Sequence, residues 1–236
     1  MPRLDQRLKL VARQIRARCH ADIGSDHGHL LKALLAAGRI ERGIAIENKR
    51  QPWANSQATL RGLPADVRFG EGLQPLRPGE ADSASICGMG GRSIERILGE
   101  APERIPERLV LQPNKHAEQL RRWAFAAGYH LQEELRTAGR RRFDVLVFVR
   151  GDGHPDPVYD SLDREAALVF GPWHLRRWET WFVQQLQQQQ RYLATLGGRD
   201  AVAGQRLAIL DRLLAAREKH PQKNFAQTPP RRYFEK

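Results

Sequence analysis

The stretch ADIGSDHGHL, residues 21–30, carries the strongest indication of the fold. An apolar run ends at Asp22-Ile23-Gly24, and a helical pattern begins only a few residues later, at His29. Gly24 and Gly28 let the backbone pass close to a ligand at the mouth of this turn, and a helix N-terminus follows it. The stretch therefore predicts a strand, a ligand-binding turn and a helix in direct succession.

Apolar runs and helical segments alternate along the first 150 residues. Helical periodicity occurs at residues 29–37, 52–61, 93–98 and 117–127. Such alternation implies strand-helix-strand crossovers and a mostly parallel, doubly wound α/β sheet of the Rossmann-like type. The apolar runs, each followed by a loop rich in Gly, Asn or Asp, are residues 19–24, 42–47, 66–72, 83–88, 108–114 and 143–150.

Two further features complete the predicted sheet domain. The apolar spacing from Leu4 to Ile15 predicts an amphipathic helix within residues 2–18. Residues 129–136 and 143–150 have the pattern of two strands joined by the turn-like segment TAGRRR. A terminal hairpin of this kind places one antiparallel strand in the sheet, an arrangement more typical of class I methyltransferases than of dehydrogenases.

The composition changes after the linker GDGHPDP, residues 151–157. Beyond it the pattern is helical, with breaks at Gly171-Pro172 and Gly197-Gly198, and predicts a hairpin of two helices. The predicted organisation is a sheet domain over residues 1–155, a helical domain over 156–218 with helices at 174–196 and 200–218, and a basic flexible tail over 219–236.

The net charge of +12 and the pI near 10.5 indicate a polyanionic partner, because a basic surface both attracts nucleic acid and binds its phosphates. An arginine-rich proteome is the alternative explanation. The position of the charge favours the partner: residues 1–155 hold 26 Lys and Arg against 18 Asp and Glu, and residues 219–236 hold 5 against 1. Residues 156–218 hold 8 of each.

Several classes of protein are not expected. No stretch approaches the ~20 apolar residues of a membrane span, and the basic N-terminus lacks the apolar centre of a signal peptide. Cys19 and Cys87 form no metal-binding motif, and their scarcity fits a reducing compartment. We therefore expect a cytoplasmic protein without a metal site or a membrane attachment, and nothing indicates an obligate protein partner.

An acidic side chain follows each of the first three predicted strands. In methyltransferases an acid at the place of Asp22 contacts the methionine end of S-adenosylmethionine, whereas nicotinamide enzymes generally have none there. Glu47 can accept hydrogen bonds from ribose hydroxyls, and Glu71 from an adenine amino group. An exposed loop position is the alternative for Glu71. The other predicted cofactor-binding residues are Gly24, Ser25, Gly28, Asn48, Gly72, Gly88, Met89 and Gly90.

Two later motifs complete the predicted pocket. In ICGMGG, residues 86–91, the glycines leave an open floor beneath the transferable methyl group; a tight turn with Met89 in the core is the structural alternative. In LQPN, residues 111–114, Asn114 either lines the pocket or caps the next helix. The predicted substrate-binding residues from these motifs are Gly91, Gln112 and Asn114.

DIGSDH, GEGL, GMGG and LQPN, in this order and at these spacings, resemble the bacterial tRNA adenine-22 N1-methyltransferase family. The resemblance covers about residues 3–150 and continues weakly near Gly171. It implies a Rossmann-like domain, S-adenosylmethionine as methyl donor, and a coiled-coil-like C-terminal helical domain that helps to hold tRNA. The family usually has Gly-Asp-Gly-Leu where this chain has Gly70-Glu71-Gly72-Leu73, so the adenine-contacting acid is one methylene longer.

The implied reaction suggests catalytic roles for Asp26 and His27. The methylated adenine is cationic, so a carboxylate beside it would stabilise the developing charge. Asp26 is our candidate for that carboxylate, with His27 orienting it or the base. The structural alternatives make Asp26 an N-cap of the following helix and His27 an exposed loop residue.

Basic residues in two places are candidates for RNA contact. They are Arg7 and Arg13 in the N-terminal helix, which also carries Lys9 and Arg16, and Arg140, Arg141 and Arg142 in the late turn. Two other functions stay open at this point. A nicotinamide-dependent oxidoreductase explains the glycines and Glu47 but not Asp22, and a non-catalytic RNA-binding module leaves the three acids unexplained.

Overall fold

The computed structural model describes residues 4–137, 142–196 and 200–219. It divides into two compact units, Met1–Asp156 and Pro157–Lys236. Arg140 and Arg141 lie outside the described residues, as does the predicted tail except for Lys219.

Among the described residues of the first unit, seven strands form one mixed sheet in the order β3-β2-β1-β4-β5-β7-β6. Strands β1 to β5 run parallel, and β7 is antiparallel to both β5 and β6. This confirms the predicted Rossmann-like sheet with its terminal hairpin. The strands are β1 (Ala17–Ile23), β2 (Ile40–Glu47), β3 (Ala65–Phe69), β4 (Ser83–Met89), β5 (Arg108–Pro113), β6 (Tyr129–Arg136) and β7 (Asp144–Arg150).

The strand order indicates where on this sheet a ligand is expected to bind. Beyond β1 the chain continues to β2 and β3 on one side, and it returns to β4 and β5 on the other. Ligands of such sheets bind at this reversal, outside the carboxyl ends of the strands. The helices that connect the strands are α2 (His29–Ala36), α3 (Arg50–Leu60), α4 (Gly91–Glu100) and α5 (Ala117–Ala126).

The first helix is shorter than the sequence predicts. Helix α1 spans Gln6–Arg13, and the Asp5 side chain caps it by accepting a hydrogen bond from the Leu8 N–H at 2.7 Å. Ala17 already belongs to β1, because its N–H donates to the Arg39 carbonyl in the adjacent chain segment. Pairing in the sheet thus overrides the helical pattern of the last predicted turn.

One layer of the core joins α1 and α2 to the sheet. Val11 of α1 and Leu31 and Leu34 of α2 are fully buried in it. Burial of such aliphatic side chains is the main stabilising contribution to a helix on a sheet. The other buried members are Ile15, Leu30, Ile40, Ala45, Leu60, Val110, Val145 and Val147.

The terminal hairpin is fixed by buried polar contacts. The Arg121 Nε of α5 donates to Glu134 Oε1 of β6 at 2.7 Å, and both side chains are almost fully buried. Asp156, at the end of the predicted linker, accepts a hydrogen bond from the Leu131 N–H at 2.7 Å. The linker is therefore attached to the edge strand.

The second unit contains α6 (Arg164–Phe170), α7 (Pro172–Arg177), α8 (Thr180–Thr195) and α9 (Ala201–Lys219). The single helix predicted over 174–196 is wrong, because Trp178 adopts a left-handed conformation with φ of 46° and separates α7 from α8. Gln190 of α8 donates to Asp211 of α9 at 2.6 Å. Over the described ranges, no helix is both long and apolar enough to cross a membrane.

Candidate functional site

The three predicted acids lie at neighbouring positions on one edge of the sheet. Asp22 is the penultimate residue of β1, Glu47 is the last residue of β2, and Glu71 is two residues beyond β3. Since these strands are adjacent and parallel, their carboxyl ends meet at this edge. The structure therefore brings together the residues that the sequence pattern associates.

The turn after β1 is held in a strained but well-bonded conformation. Gly24, Asp26 and Gly28 all have positive φ, at 71°, 57° and 69°. The Gly24 N–H donates to the Ile46 carbonyl of β2 at 2.9 Å, and the Asp26 N–H donates to Glu47 Oε1. Glu47 thus has a structural role in this turn in addition to any contact with a ligand.

Asp26 presents its side chain to solvent at the rim of the site. The carboxylate is 72% exposed, and its Oδ2 lies 3.7 Å from His27 Nε2. The backbone carbonyl of Asp26 accepts a hydrogen bond from Ser56 Oγ at 3.1 Å. Capping by Asp26 is excluded, because the N-cap of α2 is Gly28 and no side chain bonds there. Its backbone is fixed while its carboxylate stays accessible.

Asp22 is buried within a polar cluster. Only 4% of the residue is exposed, and the Ser85 Oγ donates to Asp22 Oδ1 at 2.6 Å. Burial raises the pKa of Asp22 to about 6, and the hydrogen bond from Ser85 counteracts this shift. The nearby Glu47 raises this pKa further. At neutral pH this site holds a buried carboxylate with a strong preference for a cationic or hydrogen-donating ligand.

The other two acids differ in their surroundings. Burial raises the pKa of Glu47, and the hydrogen bond from the Asp26 backbone opposes the change. Glu71 is 38% exposed; its Oε2 accepts from Asn48 Nδ2 at 2.6 Å, and its Oε1 lies 3.7 Å from Arg96. Asn48 follows β2 directly, so it links the second strand end to the third. Gly72, with φ of 52°, completes the loop beyond Glu71.

Gly88, the penultimate residue of β4, is exposed, and Gly90 directly after the strand is partly exposed. Gly88 has φ of 77°, and its carbonyl accepts from Asn114 Nδ2 at 2.6 Å. The Met89 carbonyl accepts from the Asn114 N–H at 2.7 Å, and the Met89 side chain approaches Gly24. Asn114 therefore joins the chain directly after β5 to the end of β4. It does not cap α5, whose N-cap is His116. Gly90 is the N-cap of α4.

Gln112 and Arg7 form hydrogen bonds that hold the Gly88 segment in place. Gln112 is fully buried; its Oε1 accepts from Arg7 Nη1 at 2.6 Å and from the Gly88 N–H at 3.1 Å. Its Nε2 donates to the Pro113 carbonyl at 3.0 Å. Arg7 reaches into the site from α1 and lowers the pKa of Asp22, whereas Arg13 is exposed on the same helix. The oxygen and the nitrogen of the Gln112 side-chain amide are thus both engaged in hydrogen bonds within the protein.

Gly91 is buried where α4 meets the segment before α5. Its N–H donates to the Lys115 carbonyl at 2.9 Å, and a Cβ at this position would overlap the backbone carbonyl of His116. The absence of a side chain therefore allows the two loops of the floor to contact each other.

Replacing Gly91 by alanine is expected to lower the free energy of unfolding by about 1–3 kcal/mol, because the new methyl group forces two backbone segments apart. Gly99→Ala is the matched control in the same helix. It has open space around it and is expected to raise the free energy of unfolding by up to about 1 kcal/mol, through helix propensity. Urea denaturation of both variants measures the difference, and equal stabilities would contradict the close contact.

The described residues contain no group of three or more His, Cys, Asp or Glu side chains arranged to hold a metal ion. His27 and His29 stack on each other with ring centroids 5.5 Å apart. They form part of the rim of the site.

Sequence reasoning missed three residues of the buried cluster. His20 lies between Ser83 and Ser85 and is fully buried. The available signal was the presence of polar side chains inside two apolar strands, β1 and β4, that are adjacent in a doubly wound sheet.

Comparisons with known proteins agree with this geometry. A family profile for a methyltransferase domain matches residues 4–146. The tRNA (adenine(22)-N(1))-methyltransferase of Bacillus subtilis is 33% identical over 202 residues, which are 82% of this chain and 84% of that protein.

Solved structures are similar over nearly the whole chain. The crystal structure of the Bacillus subtilis m1A22 tRNA methyltransferase TrmK superposes with a TM-score of 0.79 at 31% identity, over 92% of this chain and 99% of that one. A putative tRNA (m1A22) methyltransferase of Streptococcus pneumoniae, in complex with S-adenosyl-L-methionine, gives a TM-score of 0.77 at 27% identity, over 90% and 100% of the two chains.

Proposed function

This chain belongs to the methyltransferase-domain family, and within it to that of the tRNA (adenine(22)-N(1))-methyltransferases, and from that premise we propose that it transfers a methyl group from S-adenosyl-L-methionine to N1 of adenine 22 in tRNA. The observation that carries the proposal is the set of three acids on successive strand ends beside a glycine floor. A nicotinamide-dependent oxidoreductase and a non-catalytic RNA-binding module are not favoured.

The residues present fit the cofactor. Buried Asp22 is suited to the ammonium group at the methionine end, and Glu47 to the ribose hydroxyls. Glu71, oriented by Asn48, is suited to the adenine amino group. Gly24 and Gly28 let the turn approach the ligand. The cofactor supplies a methyl group on a positively charged sulfur.

The remaining residues position the substrate base. Adenine N1 has an in-plane lone pair, but the base must leave its stack to enter a pocket. This nucleophile carries no proton that must leave first, so positioning accounts for much of the acceleration. The open floor at Gly88 and Gly90 receives the base, and Asn114 and Gln112 hold that floor in shape. Exposed Asp26 stabilises the developing positive charge, with His27 beside it.

RNA approaches from the same edge of the sheet. Strand β6 ends at Arg136 opposite Asp144, the first residue of β7, and β6 runs parallel to β1 to β5. The described residues Arg136 and Asp144, which flank the segment with the three arginines in the sequence, therefore lie at the same edge of the sheet as the candidate cofactor site. Of the three arginines, Arg142 is described, and it is exposed.

Reversing Arg140, Arg141 and Arg142 to glutamate is expected to weaken tRNA binding and to reduce the slope of log affinity against log salt by about one for each phosphate that the variant no longer neutralises. Arg142→Glu alone gives a smaller effect in the same direction. Arg61→Glu is its matched control, because Arg61 is exposed after α3, at the opposite end of the sheet. Binding titrations at several salt concentrations test this, and an unchanged slope would place the RNA surface elsewhere, with Arg13 the next candidate.

Cofactor affinity is expected to fall as the pH decreases through about 6. The pKa of Asp22 is about 6, so below this pH the carboxyl gains a proton and cannot balance the cofactor's ammonium group. The charged groups facing it are Arg7 and Glu47, and burial raises the pKa of Glu47 as well, which acts in the same direction. Because binding of the cofactor competes with a single proton on Asp22, the cofactor affinity falls by at most about tenfold per pH unit. Calorimetry between about pH 5 and pH 7 measures it; a flat profile would contradict the assignment of Asp22.

Calorimetric titration with S-adenosyl-L-methionine and with NAD, on the same protein sample, tests the cofactor assignment. We expect micromolar binding of the first and none of the second. Binding of NAD alone would overturn the proposed function.

A further inference from the structure

Behind Asp22 lies a chain of buried hydrogen bonds that the proposed reaction does not use directly. Ser83 Oγ is 2.7 Å from His20 Nδ1, and His20 Nε2 is 2.9 Å from Ser85 Oγ. Ser85 Oγ in turn donates to Asp22 Oδ1 at 2.6 Å. All four residues are at most 4% exposed, and they lie on the central strands β1 and β4.

The proton positions in this chain are determined by counting donors. Ser85 has one hydroxyl proton, which it gives to Asp22, so its contact with His20 requires a proton on Nε2. Burial lowers the pKa of His20 to about 3, so the ring is neutral and Nδ1 has a lone pair. Nδ1 therefore accepts the hydroxyl proton of Ser83. Every donor in the chain points towards Asp22.

We propose that His20 is a positioning residue: its Nε2–H holds the Ser85 hydroxyl turned towards Asp22 and thereby keeps the carboxylate ionised and aimed at the methionine end of the cofactor. This rests on the proposed function, in which Asp22 binds the cofactor. Without His20, the hydroxyl of Ser85 is free to rotate away from the carboxylate. A buried carboxylate that loses a donor is less stable as an anion.

The hydrogen bonds of His20 distinguish a positioning role from a purely structural one. An aliphatic side chain could fill the same space between the strands, but it would remove the His20 partner of the buried Ser83 and Ser85 hydroxyls. The imidazole instead needs a partner on each ring nitrogen, and both partners are serines of β4. With a proton on Asp22, the same chain would run in the opposite direction, with the His20 proton on Nδ1. The tautomer of His20 thus reports the direction of the chain.

Two variants of His20 separate its two hydrogen bonds. Gln is long enough to place an amide N–H where Nε2 lies, facing Ser85, whereas Asn reaches only the position of Nδ1, facing Ser83. We expect His20→Gln to bind S-adenosylhomocysteine within about threefold of wild type. His20→Asn should bind about tenfold more weakly, which corresponds to ~1.4 kcal/mol. In His20→Asn the loss of affinity at low pH should also begin at a higher pH.

Calorimetry at several pH values measures these affinities, and melting temperatures show whether both variants fold. Ser85→Ala, which removes the donor itself, is the second variant if His20→Asn does not fold, and it should show the same loss. Nitrogen-15 NMR of the wild-type protein at neutral pH, labelled in histidine, should show His20 as the neutral Nε2–H tautomer.

Asp22→Asn separates a failure of this inference from a failure of the proposed function. If Asp22→Asn weakens binding while His20→Asn and Ser85→Ala do not, the positioning role is overturned and the cofactor site stands. If Asp22→Asn binds like wild type, the cofactor site itself is wrong. Equal losses in His20→Gln and His20→Asn, with an unshifted pH profile, or a Nδ1–H tautomer at neutral pH, would reduce His20 to a structural residue.

Discussion

Asp22→Ala is expected to weaken binding of S-adenosyl-L-methionine by about 10- to 100-fold, with tRNA affinity nearly unchanged. A hydrogen bond to a charged group is worth ~1.5–3 kcal/mol, and Asp22 is almost fully buried, where solvent cannot replace it. Calorimetry with the cofactor, together with tRNA titrations, measures both affinities. The control is Asp66→Ala, since Asp66 is an exposed acid of the edge strand β3 that pairs with Arg68.

The other two acids should rank below Asp22 for reasons visible in the structure. Glu47→Ala removes a ligand contact and also the acceptor of the Asp26 N–H, so it should weaken cofactor binding and loosen the turn. Glu71→Ala should have the smallest effect, because that carboxylate is 38% exposed and its loss is partly compensated by water. Wild-type cofactor affinity in all three variants would refute the site assignment.

Asp26→Asn is expected to lower the rate of methyl transfer by about 100-fold or more, the loss typical of a group that stabilises transition-state charge. Affinities for cofactor and tRNA should stay close to wild type. Asparagine keeps the size of the side chain and tolerates the positive φ of 57° at this position. The backbone contacts of residue 26 with Glu47 and Ser56 also survive the change.

Single-turnover rates at saturating tRNA and cofactor test this role of Asp26. His27→Asn is the companion variant and should give a smaller loss, because His27 acts through Asp26 or the base. A wild-type single-turnover rate in Asp26→Asn would leave the residue with a role only in the shape of the turn.

The sheet was predictable because its signals are local. Residues 129–136 were predicted as a strand and form β6, and the three acids predicted to follow successive strands lie at neighbouring strand ends. The helix ends were less predictable, because they depend on contacts distant in sequence. Ala17 joins β1 through Arg39, and Trp178 breaks a segment whose helical pattern is continuous.

The positions of the three acids at adjacent strand ends were predictable from the sequence, but the contacts of the residues around them were not. Arg7 was predicted to contact RNA on charge alone, but it is part-buried against Gln112, 105 residues away. Gln112 and Asn114 were predicted to bind substrate, and their amides are used to join loops. His20 is a polar residue inside an apolar strand, but its role could not be predicted from that signal alone, because its partners lie 63 and 65 residues away. Such contacts are created by the strand order, which a local pattern does not contain.

Incubation of unmodified tRNA transcripts with labelled S-adenosyl-L-methionine, followed by nucleoside analysis, tests the central claim most directly. We predict label in N1-methyladenosine with a transcript that has adenine at position 22, and none when that adenine is replaced by guanine. Asp22→Ala, assayed at low cofactor concentration, serves as the control with reduced incorporation of label. Label in a different nucleoside, or label that persists in the guanine-22 transcript, would contradict the assignment of N1 of adenine 22 as the methylated atom.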